Sequence, residues 1–129
     1  MKKVLLAVLL LSVSAVATEP SYSPTYQHCL DNSGGVTIAM RECNAQELRY
    51  QDGLLNRHYK ALMSRLSPAK KVELKKAQRL WIKYRNANCG FYVGLTGGTM
   101  DIINAGDCHV EMTARRAEEL DGFLSLVGE

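Results

Sequence analysis

Large aromatic side chains are scarce in this sequence, which has one tryptophan and two phenylalanines among 129 residues. A tryptophan can bury roughly 150–250 Å² of surface, so a small domain with few such side chains has few anchors for a core. The only one, Trp81, lies in the segment 74–89, LKKAQRLWIKYRNANC. We therefore expect this segment to contribute to the centre of the fold.

The sequence also lacks an apolar run long enough to cross a bilayer. Residues 1–17, MKKVLLAVLLLSVSAVA, combine a basic start, an apolar run over 4–11 and small residues at Ala15 and Ala17, which predicts a signal peptide. An uncleaved membrane anchor is the alternative. No cysteine ends this segment to carry a lipid, so we expect a periplasmic or secreted protein that begins near Thr18 and has no membrane anchor after cleavage.

A strong excess of either charge is absent as well. The chain has 16 basic and 13 acidic residues, and removal of Lys2 and Lys3 with the signal leaves a net charge of +1. This balance argues against nucleic acid as a partner. The charge is unevenly distributed, because residues 65–85 contain eight basic residues and one acidic, whereas 101–129 contain seven acidic and two basic. Two solvated helices that attract each other are a better explanation than a ligand patch.

Closely spaced cysteine pairs are missing. The four cysteines, Cys29, Cys43, Cys89 and Cys108, are at least fourteen residues apart, whereas zinc sites favour pairs such as C-x-x-C. An even number in an exported chain predicts two disulfides. We expect Cys29–Cys43 and Cys89–Cys108, each of which closes a glycine-containing segment onto the adjacent helix. A Cys43–Cys89 bond between helices is the alternative.

Catalytic constellations are not evident either. A hydrolase needs a nucleophile beside a base, or two convergent carboxylates with separated pKa values. The histidines, at positions 28, 58 and 109, have no partners at triad or metal-ligand spacing, and Gly97-Gly98-Thr99 is not followed by the G-K-S/T of a phosphate loop. The sequence thus predicts no enzyme, no catalytic residue, no metal and no cofactor.

Apolar periodicity predicts three helices, over residues 37–66, 68–92 and 108–126. Ser67 is the expected N-cap of the second helix and Pro68 suits its first turn. Such a tight turn folds the first two helices into a long antiparallel hairpin, against which the third packs, in an all-α fold that resembles a three-helix bundle. Asp107 is the expected N-cap of the third helix, and the glycine-rich stretch before it is expected to be a loop.

The rest of the mature chain forms a short leader and one domain. Residues 18–28 have the composition of a flexible leader without a role in the core, and residues 29–129 are long enough for a single domain.

Two side-chain expectations follow from the helical register. The second helix has an apolar stripe through positions 74, 77, 81, 84, 88 and 91. Asp52 falls in the apolar seam of the first helix, and antiparallel counting places it near Arg85. We expect a buried structural ion pair, whose loss in Asp52→Ala costs ~3–5 kcal/mol. A catalytic pair is the lesser alternative.

Several motifs occur together and in order. They are AQRLWIKYRNANC at 77–89, Cys43, Asp52, LNRHY at 55–59, GGTM at 97–100, and the T-x-x-R-x-x-x-L spacing of Thr113, Arg116 and Leu120. With these motifs the chain resembles the LprI-type lysozyme-inhibitor domain, a family of small exported bacterial proteins. The resemblance extends from about residue 29 to residue 120.

The resemblance implies a protein inhibitor that blocks the lysozyme cleft and so protects the cell wall. A periplasmic interaction or envelope-maintenance module without a lysozyme target is the alternative. If a lysozyme is bound, we expect the contact in the loop closed by the second disulfide, which is long, rich in glycine and followed by the acidic end of the chain. The expected partner-binding residues are Tyr92, Gly97, Gly98, Thr99 and Met100, with Tyr92 near the surface.

Overall fold

The computed structural model describes residues 18–128 and contains four helices and no strand within that range. They are α1 (Tyr26–Asn32), α2 (Thr37–Arg65), α3 (Pro68–Gly90) and α4 (Met100–Val127). The predicted all-α class is confirmed, with a hairpin of α2 and α3 joined by a C-terminal helix. The predicted signal peptide lies outside the described residues.

The chain reverses direction at the turn between α2 and α3. Ser67 is the N-cap of α3, and its hydroxyl oxygen accepts a hydrogen bond from the backbone N–H of Lys70 at 3.3 Å. Pro68 follows as the first helical residue, where its missing N–H leaves no helical hydrogen bond unmade. This predicted cap is confirmed, and it makes α3 antiparallel to α2.

Helix α4 runs parallel to α2 and lies close to it along much of its length, whereas the backbones of α2 and α3 rarely approach as closely. Asn44 Nδ2 donates to Asp107 Oδ1 at 2.7 Å near the start of both helices, and Arg65 Nη1 donates to the carbonyl of Gly128 at 2.9 Å near the end. A Cβ atom at Gly106 would lie only 2.7 Å from Asn44 Nδ2. Gly106, which we expected in a loop, therefore permits the close approach of two helices.

The main apolar core lies between all three long helices. Its buried members are Leu55 and Leu62 from α2, Leu74 from α3, and Ala117 and Leu120 from α4. Trp81 and Tyr59 are partly buried against this cluster. Helices α2 and α3 do not enclose the core by themselves, and α4 covers its remaining side.

The inward face of α3 differs from the predicted stripe. Leu74, Gln78 and Cys89 are buried, whereas Tyr84 and Phe91, assigned to the stripe, are largely exposed. Ala77 and Asn88 of the predicted stripe are exposed as well, so only Leu74 and Trp81 face inward as expected. Gln78 belongs to the seam as a polar residue with a hydrogen-bond partner on α4.

The segment before α1 packs against the bundle. Pro20 is buried, as is Tyr26 at the start of α1, and both the backbone N–H and the hydroxyl of Ser23 donate to the carboxylate of buried Glu47 on α2. The expectation that residues 18–28 have no core role is therefore wrong. Composition did not reveal this docking, because the partner that holds the polar segment is itself a polar residue buried on α2.

Tyr26 adds a second polar contact beneath this segment. Its hydroxyl donates to Asn44 Oδ1 at 2.7 Å. Burial, with a smaller contribution from the nearby Asp107 carboxylate, raises the pKa of Tyr26 well above its ordinary value. The phenol thus stays protonated and available as a hydrogen-bond donor, which fixes α1 on α2.

Leu120→Ala tests the position of the core. Leu120 is fully buried between the three long helices, and removing such a side chain leaves a cavity that costs about 2–5 kcal/mol. Leu126→Ala, at an exposed site on the same helix, should change the free energy of unfolding by no more than about 0.5 kcal/mol. Urea unfolding of both variants measures this difference, and equal losses would contradict the packing of α4.

Candidate protein-binding site

Two guanidinium groups lie over the Trp81 ring in the seam between α3 and α4. The Cζ atom of Arg85 is 5.0 Å from the ring centroid, and that of Arg116 is 6.0 Å away. A cation over an indole face is attracted by the ring quadrupole. Two residues of α3 and one of α4 thereby form a single stacked unit.

Hydrogen bonds extend this unit across the same seam. Arg85 Nη1 donates to Thr113 Oγ1 at 3.0 Å, and Arg116 Nε donates to Gln78 Oε1 at 3.0 Å. Arg116 also forms an ion pair with Glu119, one turn further along α4. These residues are mostly those that carry the family resemblance, and their contacts are the ones that join helices. The residues that carry the resemblance therefore have a structural role, which is to hold the helices together.

Asp52 lies at the edge of this seam. Arg85 Nη1 is 3.8 Å from Asp52 Oδ1, but the Asp52 side chain is 49% exposed. The expectation of a buried carboxylate is wrong, because the buried position on this part of α2 is taken by its neighbour Gln51. A half-exposed ion pair at this distance is screened by water and contributes little to stability.

Asp52→Ala should accordingly reduce the free energy of unfolding by no more than about 1 kcal/mol, in place of the larger loss expected for a buried charge. Arg85→Ala should cost more, since it also removes the hydrogen bond to Thr113 and the contact with Trp81. Urea unfolding distinguishes the two variants. A loss of 3 kcal/mol or more in Asp52→Ala would show that its carboxylate is buried after all.

Both predicted disulfides are confirmed, so the Cys43–Cys89 alternative is excluded. Cys29–Cys43 joins α1 to α2. Cys89–Cys108 joins the last turn of α3 to the third turn of α4. The second disulfide closes a segment that contains the loop 91–99, which we call the apical loop, and the first two turns of α4.

The apical loop is shorter than predicted, because α4 begins at Met100 and not at 108. Asp107 therefore lies inside α4 and is not its N-cap. The residue that organises the start of this helix is Asp101, which is buried. Its Oδ1 accepts from the Thr96 hydroxyl at 2.7 Å, and its Oδ2 accepts from the backbone N–H groups of Thr96 and Gly97 at 2.9 and 3.0 Å.

These hydrogen bonds bend the loop back onto α4. Gly97 has φ of +79°, a conformation that favours glycine over residues with a side chain. The hydrogen bonds from the Thr96 hydroxyl and backbone, and then from Gly97, lower the pKa of the Asp101 carboxyl below its ordinary value. Because the folded pKa is the lower one, the stabilisation is complete above the unfolded pKa of about 3.9 and is lost as the pH falls through the folded value.

Asp101→Asn removes a carboxylate that accepts three hydrogen bonds. The melting temperature of this variant should be lower than that of the wild type at neutral pH. The difference should begin to shrink below about pH 4, where the carboxyl of the unfolded chain becomes protonated, and should be lost as the pH falls through the lower pKa of the folded protein. Thermal unfolding between pH 2 and pH 7 measures it. Asp31→Asn, at an exposed site on α1, is the matched control. A difference that is independent of pH would contradict this role for the carboxylate.

Apolar side chains project from the apical loop into solvent. Phe91, Val93 and Leu95 are 71%, 65% and 52% exposed. Met100 and Ile102, in the first turn of α4, are also exposed. Exposed apolar side chains that are grouped in this way indicate a site of interaction. Hydrogen bonds between polar atoms hold the inside of this loop, and its apolar side chains face the solvent. Exposure of these apolar side chains to water is unfavourable in the free protein and is relieved when a partner covers them.

The sequence-predicted binding residues lie at the same end of the bundle. Gly97, Gly98 and Thr99 are exposed loop residues, and Met100 is the first residue of α4, but Tyr92 is half-buried. Sequence reasoning missed Phe91, which it placed on the inward stripe. It also missed Val93 and Leu95. Their only sequence signal is an aromatic and aliphatic run, F-Y-V-G-L, in a segment where the helical pattern has ended.

A shallow pocket of about 340 Å³ lies beside the loop, between α3 and α4. Tyr92, Asn88 and the exposed carboxylates of Asp107 and Glu111 contribute to its wall. Carboxylates next to an aromatic ring suit a lysine or arginine side chain of a partner. The loop and this pocket together form the candidate protein-binding site.

We find no catalytic or metal-binding cluster of side chains elsewhere among residues 18–128. His58 and His109 contact the carbonyls of Ala117 and Ala105 at 2.8 Å, and His28 bonds with Asn32. No group of three or more potential metal ligands comes together in this part of the chain. None of its helices is both long and apolar enough to span a membrane.

Comparison with known proteins assigns the chain to a family. The chain belongs to the family described as "Lysozyme inhibitor LprI", whose model matches residues 29–120. It is 32% identical over 98 residues to an uncharacterized protein of Rhizobium meliloti (strain 1021), in an alignment that covers 64% of this chain and 69% of that protein. No solved structure matches the chain.

Proposed function

We propose that this protein inhibits a lysozyme by binding it through the apical loop, and so protects the bacterial cell wall. Membership of a lysozyme-inhibitor family supports the class of target. The observation that carries the proposal is the outward display of Phe91, Val93 and Leu95 on a loop that is fixed at both ends. Inhibition then requires contact alone, without any catalytic group.

The fixed shape of the loop favours tight binding. The Cys89–Cys108 disulfide holds its base, and Asp101 holds its far end through three hydrogen bonds. A loop that is ordered before it binds loses less conformational entropy in the complex. Apolar anchors that enter a partner's pocket carry most of the energy of typical interfaces. This combination suits insertion into the concave substrate cleft of a lysozyme.

Charge around the loop is compatible with a basic lysozyme. The apical loop itself contains no charged residue, and Asp107 and Glu111 flank the adjacent pocket. Asp107 also accepts a hydrogen bond from Asn44 and Glu111 also pairs with Arg115, and their exposed carboxylates can exchange these partners for basic side chains of an approaching protein. The basic stretch 70–83 occupies the other part of α3, toward the turn at Ser67, which reduces its repulsion of the same partner.

Export would bring the inhibitor to the compartment in which a lysozyme attacks the wall. Two disulfides are typical of proteins that function outside the reducing cytosol. The signal peptide expected over residues 1–17 would supply the route. We therefore assign the protein to the periplasm or the extracellular space.

A triple variant of the loop, Phe91→Ser, Val93→Ser and Leu95→Ser, tests the site. Each anchor of this kind contributes on the order of 1 kcal/mol or more, so the inhibition constant should rise at least ~100-fold, while the helical spectrum and melting temperature change little. The assay is lysis of a cell-wall suspension by purified lysozymes of several types. Val72→Ser, Leu80→Ser and Leu126→Ser, three exposed apolar sites away from the loop, form the matched control variant and should retain inhibition.

Two results would contradict the proposal in different ways. Full inhibition by the loop variant, with loss in the control variant, would move the site to a helix face. Absence of inhibition by the wild-type protein, across all lysozyme types tested, would favour an envelope interaction module that has another partner for the same exposed loop.

A further inference from the structure

The outer face of α3 carries three positive charges close together. With a turn of roughly 100° per residue, Lys76, Arg79 and Lys83 fall on the side of the helix opposite to the seam residues Leu74 and Trp81. All three basic side chains are exposed. These side chains therefore form a local basic face, although the mature chain is nearly neutral as a whole.

These basic residues have no acidic partners among residues 18–128, where they form no ion pair. The acidic residues of α4 that form ion pairs do so within α4 or with α2, as in Glu111 with Arg115 and Asp121 with His58. We expected the basic and acidic segments to attract each other across neighbouring helices. Instead, the basic face points away from α4 and is available to an external anion.

Apolar side chains lie beside the basic residues on the same outer face. Val72, Leu80 and Tyr84 are 68%, 57% and 62% exposed. Leu80 and Tyr84 are one helical turn apart, so they form a short apolar row adjacent to the row of Lys76 and Lys83. The solvent-facing side of α3 therefore carries both basic and apolar side chains.

We propose that this outer face of α3 binds peripherally to an anionic phospholipid surface. The basic side chains lie among the lipid phosphates, and Leu80 and Tyr84 enter the boundary between headgroups and acyl chains. Interfacial helices bind membranes through this combination of basic and apolar groups. A soluble polyanion would satisfy the charges but would leave Leu80 and Tyr84 exposed, so the apolar row favours a bilayer.

The geometry leaves the apical loop free in the bound state. The outer face of α3 is opposite to the seam, so α2 and α4 lie on the side away from the bilayer. The loop leaves α3 at its C-terminal end and leads into α4. Membrane binding therefore does not depend on lysozyme inhibition, and either property can be present without the other.

Sedimentation of the mature protein with vesicles tests this proposal. Vesicles that contain phosphatidylglycerol and phosphatidylcholine should bind the wild type at low ionic strength, and vesicles of phosphatidylcholine alone should bind it far less. The triple variant Lys76→Gln, Arg79→Gln and Lys83→Gln should bind at least ~100-fold more weakly, because basic residues near an anionic surface contribute about fivefold each. Arg41→Gln, Arg57→Gln and Lys60→Gln, an equal charge change at exposed sites on α2, should retain most of the binding.

A second pair of variants tests the apolar contribution. Leu80→Ser with Tyr84→Ser should weaken binding to the anionic vesicles more than tenfold, since both side chains leave water when they enter the interface. Ile38→Ser with Tyr50→Ser, at exposed sites on α2, is the matched control.

Three outcomes would overturn the proposal. They are no binding of the wild type to anionic vesicles, equal loss of binding in the α2 and α3 charge variants, and full binding by the Leu80 and Tyr84 variant. The last result would show that charge alone holds the protein at the vesicle and that Leu80 and Tyr84 do not enter the interface. Lysozyme inhibition in solution should be the same in the wild type and the α3 charge variant, which separates a failure of this proposal from a failure of the inhibitor function.

Discussion

The contact of Trp81 with Arg85 and Arg116 is the interaction on which the attachment of α3 to α4 depends. Helix α3 buries few apolar side chains, and one of its three buried residues, Gln78, is polar. Its attachment to α4 therefore requires hydrogen bonds as well as packing, and Thr113 and Gln78 supply the partners. Because each guanidinium has a ring face and an acceptor, its charge can lie in the seam without leaving buried polar atoms unsatisfied.

Regular features of the fold could be predicted from the sequence because each has a local physical cause. The helices follow from apolar periodicity, the hairpin from Ser67 and Pro68, and the disulfides from the requirement to close short segments onto neighbouring helices. The prediction failed where a polar residue occupies a buried position. Gln51 and Gln78 are buried through tertiary partners that no short window of sequence contains.

The candidate site shows the same division. Its location between Cys89 and Cys108 could be predicted, since a glycine-rich segment between two cysteines must form a closed loop. The contacts and the exposed side chains of this loop could not be predicted. Asp101 looks like an ordinary residue of the first helical turn, and its contacts with Thr96 and Gly97 depend on the path of the loop. The exposure of Phe91 likewise depends on the place where α3 ends, which periodicity locates only to within a turn or so.

Both disulfides lie at one end of the bundle, near the start of α2 and the end of α3, whereas the end with the Ser67 turn and the C-terminus of α4 has none. Local opening is therefore easiest at the uncrosslinked end, and the helices should separate from there. Amide hydrogens along α2 and α4 should exchange progressively more slowly toward the apical loop. The disulfides therefore stabilise the end of the bundle that carries the apical loop, which is the end that must keep its shape to bind a partner.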